Sequence, residues 1–268
     1  MPLKIATWNI NSVRLRIELV KKLLVEHNPD VLCLQETKCP QGQFPSSPLK
    51  ELGYGHLAEF GQKGYHGVAI VSRLPLKASS SRDFCGKGDC RHISVTIAGT
   101  RPLTIHNLYV PAGGDEPNPK TNDKFAHKLK FLDELENWFG DGALKRGHDG
   151  IVVGDLNIAP LEHDVWSHKD LLKVVSHTPV ETAGLNRVQK AGKWVDVMRQ
   201  HVSSDQKLYT WWSYRAADWA SSNRGRRLDH IWASPGLAPK CSKLEVIAAA
   251  RGWQQPSDHV PVLATFDL

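Results

Sequence analysis

Gly150-Ile151-Val152-Val153-Gly154-Asp155-Leu156-Asn157 is a short apolar run that ends in a carboxylate and an amide. A run this short and this rich in Val and Ile reads as a strand, with Gly154 to Asn157 as the loop beyond it. Asp155 and Asn157 stand two residues apart. On extended backbone their side chains leave the same face, so a carboxylate and an amide together can hold one water molecule. In an Asx turn, which both residues favour after a strand, they serve the local backbone instead. The tetrapeptide alone leaves both readings open.

The pattern recurs in both directions along the chain. Apolar runs of strand length cover residues 3–8, 31–35, 67–72, 92–97, 103–109, 228–233, 244–248 and 260–266. Several end or begin on polar groups: Asn9, Glu36, Asp229 and the pair Asp258-His259. Polar groups at the ends of strands from one core converge at one rim, where a rigid scaffold presents loop residues. Singly, each has a plainer reading. Glu36 is an exposed strand-end carboxylate, and Asn9 is a turn residue. His259 is one of 13 histidines, but Asp258 beside it and the proline-punctuated Val260-Pro261-Val262 single it out. A carboxylate such as Asp229 would fix its tautomer through a hydrogen bond.

Helical periods are fewer. Val13, Ile17, Val20 and Leu24 recur at helical spacing, with Ser12 as the expected N-cap. A second helix runs from Asp123, with Phe125, Leu129, Leu132, Leu135 and Phe139 on one face, and a third covers residues 179–189. Pro- and Gly-rich loops separate these elements, with no internal repeat or shift in composition. The expectation is one domain over residues 1–268, an α/β sandwich of two packed sheets with helices outside.

Composition bounds the partners. The 268 residues are 41% hydrophobic, enough to bury a core, and carry a net charge of +6 with a pI near 9.0. That charge favours an acidic partner such as nucleic acid. No apolar stretch reaches the roughly 18 residues of a membrane span, and the N-terminus lacks the apolar core of a signal peptide. The five cysteines are read as reduced thiols. Cys85, Cys90 and His92 lack the second ligand pair that structural zinc wants. The polar set of carboxylates, amides, one histidine and the phenol of Tyr109 fits hydrolysis of a phosphodiester with a bound divalent cation, since magnesium prefers hard oxygen ligands. A phosphate-binding Gly-x-x-x-x-Gly-Lys-Ser/Thr loop is missing, which argues against nucleotide-driven motor chemistry.

Six motifs occur in order: Thr7-Trp8-Asn9-Ile10-Asn11, Leu34-Gln35-Glu36-Thr37-Lys38, Asn107-Leu108-Tyr109-Val110-Pro111, Gly154-Asp155-Leu156-Asn157, Arg227-Leu228-Asp229 and Ser257-Asp258-His259-Val260-Pro261-Val262. Together they resemble the exonuclease III family of abasic-site endonucleases, within the endonuclease/exonuclease/phosphatase superfamily, over nearly the whole chain. The resemblance implies a four-layer αββα sandwich with two mixed β-sheets and the site at one edge. It implies Glu36 as the principal ligand of Mg2+, with Mn2+ as a substitute, and Asn9 and Asp258 close to the metal. Asp155 activates or orients the attacking water, held by Asn157; Tyr109 contacts phosphate; Asp229 and His259 pair. Whether Asp155 or His259 takes the proton stays open.

The implied activity is cleavage 5′ to abasic sites in double-stranded DNA to leave a 3′-hydroxyl, with 3′→5′ exonuclease and 3′-phosphatase action on 3′ ends. The expected protein is a monomeric, cytoplasmic, bacterial-type enzyme associated with the nucleoid, with no membrane partner. Trp211, Trp212, Arg224, Arg226 and Arg227 in an aromatic, basic loop, and Lys63 in a second loop, are the expected DNA contacts. Two departures stand out. Ala112-Gly113-Gly114 replaces a segment where relatives often carry an amide that touches DNA, and the loop from Cys85 to Cys90 has no family counterpart. The alternative within the superfamily is an inositol-phosphate or lipid phosphatase.

Overall fold

Alternation with a period of two builds the layers. Ile5, Val31, Cys33, Ile70, Ile105, Ile151, Val153 and Ile231 meet between two sheets in one buried cluster. Their neighbours Ala6, Leu32 and Leu34 face the other way, into a cluster with Val20, Leu23 and Leu24 of a helix. On the opposite side Leu108, Val152 and Trp232 pack with Phe131, Leu132, Leu135, Leu185 and Val188 of two further helices. Strands buried on both faces therefore read as continuous apolar runs.

The computed structural model describes residues 2–97, 102–144, 148–216 and 218–268. Its strands are β1 Pro2–Asn9, β2 Val31–Gln35, β3 His56–Phe60, β4 Val68–Ser72, β5 Leu76–Ser81, β6 His92–Ile97, β7 Leu103–Tyr109, β8 Asp149–Asp155, β9 Val195–Asp196, β10 Trp211–Trp212, β11 Gly225–Arg226, β12 Asp229–Ala233, β13 Cys241–Val246 and β14 Val262–Asp267. Its helices are α1 Ile17–His27, α2 Ser47–Lys50, α3 Asp123–Gly140, α4 His168–Leu171, α5 Pro179–Ala191, α6 Val197–His201 and α7 Trp219–Ser222. One six-stranded sheet has the order β13-β14-β1-β2-β4-β3 and the other β5-β6-β7-β8-β12-β9. The β1–β2 and β7–β8 pairs are parallel and the other pairs antiparallel, so both sheets are mixed. With helices on both outer faces, this is the expected four-layer sandwich.

Three expectations need correction. The first helix begins at Ile17, with no side-chain cap. Asn11 and Ser12 instead adopt positive φ, 47° and 87°, and Ser12 and Val13 donate their N–H groups to the carbonyls of Glu36 and Thr37. The run at 244–248 is shifted, because β13 ends at Val246. The strands β3 and β5 are missing from the expectation. Both lie at sheet edges, and β5 is largely exposed, so neither needs the apolar pattern of an inner strand.

Register delivers the polar strand ends to one rim. Asn9 pairs with Gln35 across β1 and β2, Tyr109 with Asp155 across β7 and β8, and Asp229 with Asp155 across β12 and β8. Asn107 couples the two sheets: its amide accepts from Gln35 at 2.7 Å and donates to the carbonyls of Leu34 and Ala69 at 2.9 and 3.0 Å.

Candidate active site

Gly154 sets up the central turn. Its φ is 138°, and a Cβ there would lie 1.9 Å from the Leu108 carbonyl oxygen, so only glycine lets β8 close against β7. Beyond it, Asn157 takes a left-handed conformation, φ 54°. This is not the extended backbone that would align its side chain with that of Asp155. The Asn157 N–H donates to Asp155 Oδ1 at 2.9 Å, closing an Asx turn, while its side-chain amide donates to Asp155 Oδ2 at 3.1 Å and to the Val110 carbonyl at 2.9 Å. Of the two readings of the tetrapeptide the structure shows the Asx turn, and the turn itself brings the amide to the carboxylate.

From the other sheet, Asn9 donates to Asp155 Oδ2 at 2.9 Å and to Glu36 Oε1 at 3.0 Å. Its amide oxygen accepts from the Asn11 N–H at 3.1 Å. Asn9 thus ties two carboxylates across the sandwich. His259 Nδ1 lies 2.8 Å from Asp229 Oδ2, the pairing expected from the sequence. This leaves Nε2 3.6 Å from Asp155 Oδ2. The loop carrying His259 is pinned by Trp8, whose indole N–H donates to the His259 carbonyl, and by Ser257, whose hydroxyl donates to the Asn9 carbonyl at 2.6 Å. Asp258 points elsewhere, accepting from the Trp211 indole at 2.9 Å and from the Asn11 amide at 3.3 Å.

Electrostatics separate the roles. Burial pushes Asp155 up to about 7, aided by Asp229 and Glu36 and opposed by His259 and the Asn9 hydrogen bond. Burial pulls His259 down, but Asp229 and Asp155 overcome it and raise the imidazole to about 10. Burial raises Glu36, yet the Asn9 hydrogen bond and Lys38 hold it below the usual carboxylate range. Burial and the carboxylates of Glu36 and Asp155 push the Tyr109 phenol well above its ordinary value, so it stays a hydrogen-bond donor. Asp155, Asp229 and His259 bring ligand atoms within 4.8 Å of one another, and Asp229 Oδ1 is buried without a hydrogen-bond partner. The Glu36 carboxylate, held in its ionised form beside the Asn9 amide, is an oxygen donor that suits a hard divalent cation.

Residues 6–259 match the Endonuclease/Exonuclease/phosphatase family. The chain belongs to that family. It is 30% identical to exodeoxyribonuclease III of Haemophilus influenzae over 98% of this chain and all of that one. Two solved structures superpose over 99% of this chain and all of theirs: an AP endonuclease from Archaeoglobus fulgidus, TM-score 0.90 at 33% identity, and a 3′ phosphatase from Neisseria bound to a product DNA hairpin, TM-score 0.89 at 32% identity. These likenesses make the chain an enzyme of the nuclease, phosphodiester-hydrolase class.

Within this family member the expected DNA contacts divide. Lys63 is exposed, in a loop where the rings of Tyr65, His66 and Tyr109 follow one another at 6.1 Å. Arg224 is exposed and lies 4.7 Å over the ring of Trp166. Trp211 is half-buried, with the Arg226 guanidinium 5.2 Å from its ring, and Arg226 also donates to Ser176 Oγ. Trp212 and Arg227 are corrections. Trp212 is buried against Ala250 and Val260. Arg227 is fully buried and spends its guanidinium on Asp164 and Asp196 at 2.7 Å each. Residue 217 of this loop lies outside the described residues.

Sequence reasoning missed Asn11, Lys38 and Arg91. Lys38 donates to Asn11 Oδ1 at 2.6 Å and sits 3.0 Å from Glu36 Oε2. Asn11 and Lys38 each stand two residues from an assigned position in a quoted motif, which is the signal that was there to use. Arg91 lies 4.7 Å over the Tyr109 ring and bonds the Tyr109 carbonyl, with Asp89 paired to it. The loop from Cys85 to Cys90 leads into this support. Its Cys85 N–H donates to Glu134 of α3 at 2.7 Å.

Proposed function

We propose that this chain is a magnesium-dependent DNA-repair nuclease. It hydrolyses the phosphodiester 5′ to abasic sites in duplex DNA and also acts on 3′ ends as an exonuclease and 3′-phosphatase. The observation that carries the reading is the contact of Asp155 with His259, paired to Asp229, one amide away from Glu36. The likeness to an AP endonuclease and to a DNA-bound 3′ phosphatase over full length supports the substrate.

Asp155 is the proton acceptor: the Asn9 and Asn157 amides fix its carboxylate beside His259, and burial raises its proton affinity toward neutrality, where general-base catalysis is effective. Asn157 and Asn9 orient it. Water loses a proton to Asp155 as its oxygen forms the new bond to phosphorus, and the bond to the 3′-oxygen breaks, its electron pair staying on that oxygen, which takes a proton from solvent to become the 3′-hydroxyl. His259, charged through Asp229, faces the phosphate as a fixed cation, and Tyr109 donates a hydrogen bond to it. Glu36 would hold Mg2+, with Asp258 close by and Asn9 aligning Glu36. The ion supplies charge neutralisation at the phosphate and the leaving 3′-oxygen.

Duplex oligonucleotides with an internal abasic analogue or a recessed 3′ end test the reading, with magnesium and with chelator. The expected result is magnesium-dependent nicking at the analogue. A protein that leaves both duplexes intact but releases phosphate from an inositol polyphosphate would refute it.

A further inference from the structure

Lys128 on α3 is fully buried in this enzyme. Its ammonium donates to the Asn157 carbonyl at 2.8 Å and the Ala112 carbonyl at 3.2 Å, and pairs with Glu181 of α5 at 2.5 Å. Three donors thereby meet three acceptors. Glu181 is saturated in turn, accepting from the N–H groups of Ser176 and Thr178 and from the Thr178 hydroxyl. A buried ion pair is weak evidence of stabilisation, because desolvation offsets its attraction. Its geometry is more informative. The two carbonyls belong to the two loops that directly follow Tyr109 at the end of β7 and Asp155 at the end of β8. Asn157, whose carbonyl Lys128 binds, is the left-handed residue whose amide aims Asp155.

The Gly113 position fits the same device. Its φ is 92°, and a Cβ there would lie 2.9 Å from Lys128 Cδ and 3.0 Å from Val175 Cγ1. The glycine leaves room for the lysine stem. The pair also reaches the far side of the rim. Ser176, fixed by Glu181, accepts from Arg226; Arg226 lies over Trp211; and Trp211 donates to Asp258.

We propose that Lys128, held by Glu181, is a positioning residue for the hydrolysis, clamping the Asn157 and Ala112 carbonyls so that Asp155 and Tyr109 keep their alignment. This rests on the nuclease reading above. Lys128→Met alone strands a buried carboxylate and lowers stability, so the decisive protein is Lys128→Met with Glu181→Gln, in which both charges are gone.

The double variant is expected to melt within a few degrees of wild type. Its kcat on the abasic duplex should fall about 10- to 100-fold, as expected for a small misplacement of reacting groups, with KM within about threefold. Glu181→Gln alone strands the buried ammonium but keeps its two carbonyl contacts, and should lower kcat per folded molecule less than the double variant does. Deuterium uptake in peptides covering residues 109–114 and 154–159 should rise about tenfold in the double variant while the inner strands stay protected. This arm needs no turnover, so an inactive wild-type protein would sink the nuclease reading and leave the clamp to be judged by exchange. A double variant with wild-type kcat, wild-type exchange in the two loops, or a defect equalled by Glu181→Gln overturns the proposal.

Discussion

Two buried charged clusters flank the start of β12, and they are built on opposite terms. In the first, Asp164 pairs with Arg227 at 2.7 Å and Arg199 at 2.5 Å, while Arg227 also holds Asp196 at 2.7 Å. Acids and bases balance. Burial pulls the Asp164 carboxyl up, but the two arginines hold it below its ordinary value. In the second, one strand position on from Leu228, Asp229 and Asp155 share the single imidazole of His259, with Glu36 nearby. Acids outnumber bases, and Asp155 is pushed up to about 7. A satisfied cluster fixes structure. An unsatisfied one holds a proton site, and that imbalance separates the chemistry from the scaffold.

The largest effect tests the balanced cluster. Arg227→Met leaves Asp164 and Asp196 without their shared partner and should cost about 3–5 kcal/mol in urea unfolding, as removal of one member of a buried pair does. Catalysis per folded molecule should survive. In the unbalanced cluster, Asp155→Asn should lower kcat on the order of a hundredfold or more while the protein stays folded, since it removes the proposed general base.

Stability against pH sharpens the contrast, because the two clusters have opposite signs. Asp164, depressed in the folded state, adds stability above its unfolded value near about 4 and loses it as pH falls. Asp155, raised to about 7, binds a proton in the folded state that the unfolded chain has released, so its contribution is lost as pH rises from roughly 4 to 7. His259, raised to about 10, stabilises fully below about 6.5 and loses that contribution up to its folded value. Melting temperatures of the cation-free protein should therefore fall above pH 4 from these groups, and Asp155→Asn should flatten the segment between 4 and 7. An unchanged slope in that variant would place the Asp155 carboxyl back in the ordinary range.

The smallest effect concerns the surface. Arg224 is exposed, and Arg224→Ala should reduce the slope of log affinity against log salt on duplex DNA by about one phosphate contact. Arg227→Met should leave that slope unchanged.

The same contrast explains what the sequence disclosed. Inner strands such as β8 announce themselves because both faces are buried. Their ends place Asp155, Glu36, Asp229 and His259 on one rim once the sheets pair in register. The edges β3 and β5 were illegible because solvent on one side removes the apolar requirement. Arg227 misled because an arginine in a basic loop looks the same in sequence whether it faces DNA or Asp164. The partners that bury it, Asp164 and Asp196, lie 63 and 31 residues away. Lys128 was hidden for the same reason: on a helix it reads as a solvated charge, and Glu181 lies on another helix. Its trace in the sequence was Ala112-Gly113-Gly114, a departure whose use appears only when the lysine stem is seen against Gly113.

The most direct test sets the two clusters side by side: single-turnover cleavage of an abasic duplex with saturating magnesium, normalised to folded protein, for Asp155→Asn and Arg227→Met. The expected result is a fall on the order of a hundredfold or more for the first and a rate within a few-fold of wild type for the second. Equal losses in both, or a near-normal rate in Asp155→Asn, would contradict it.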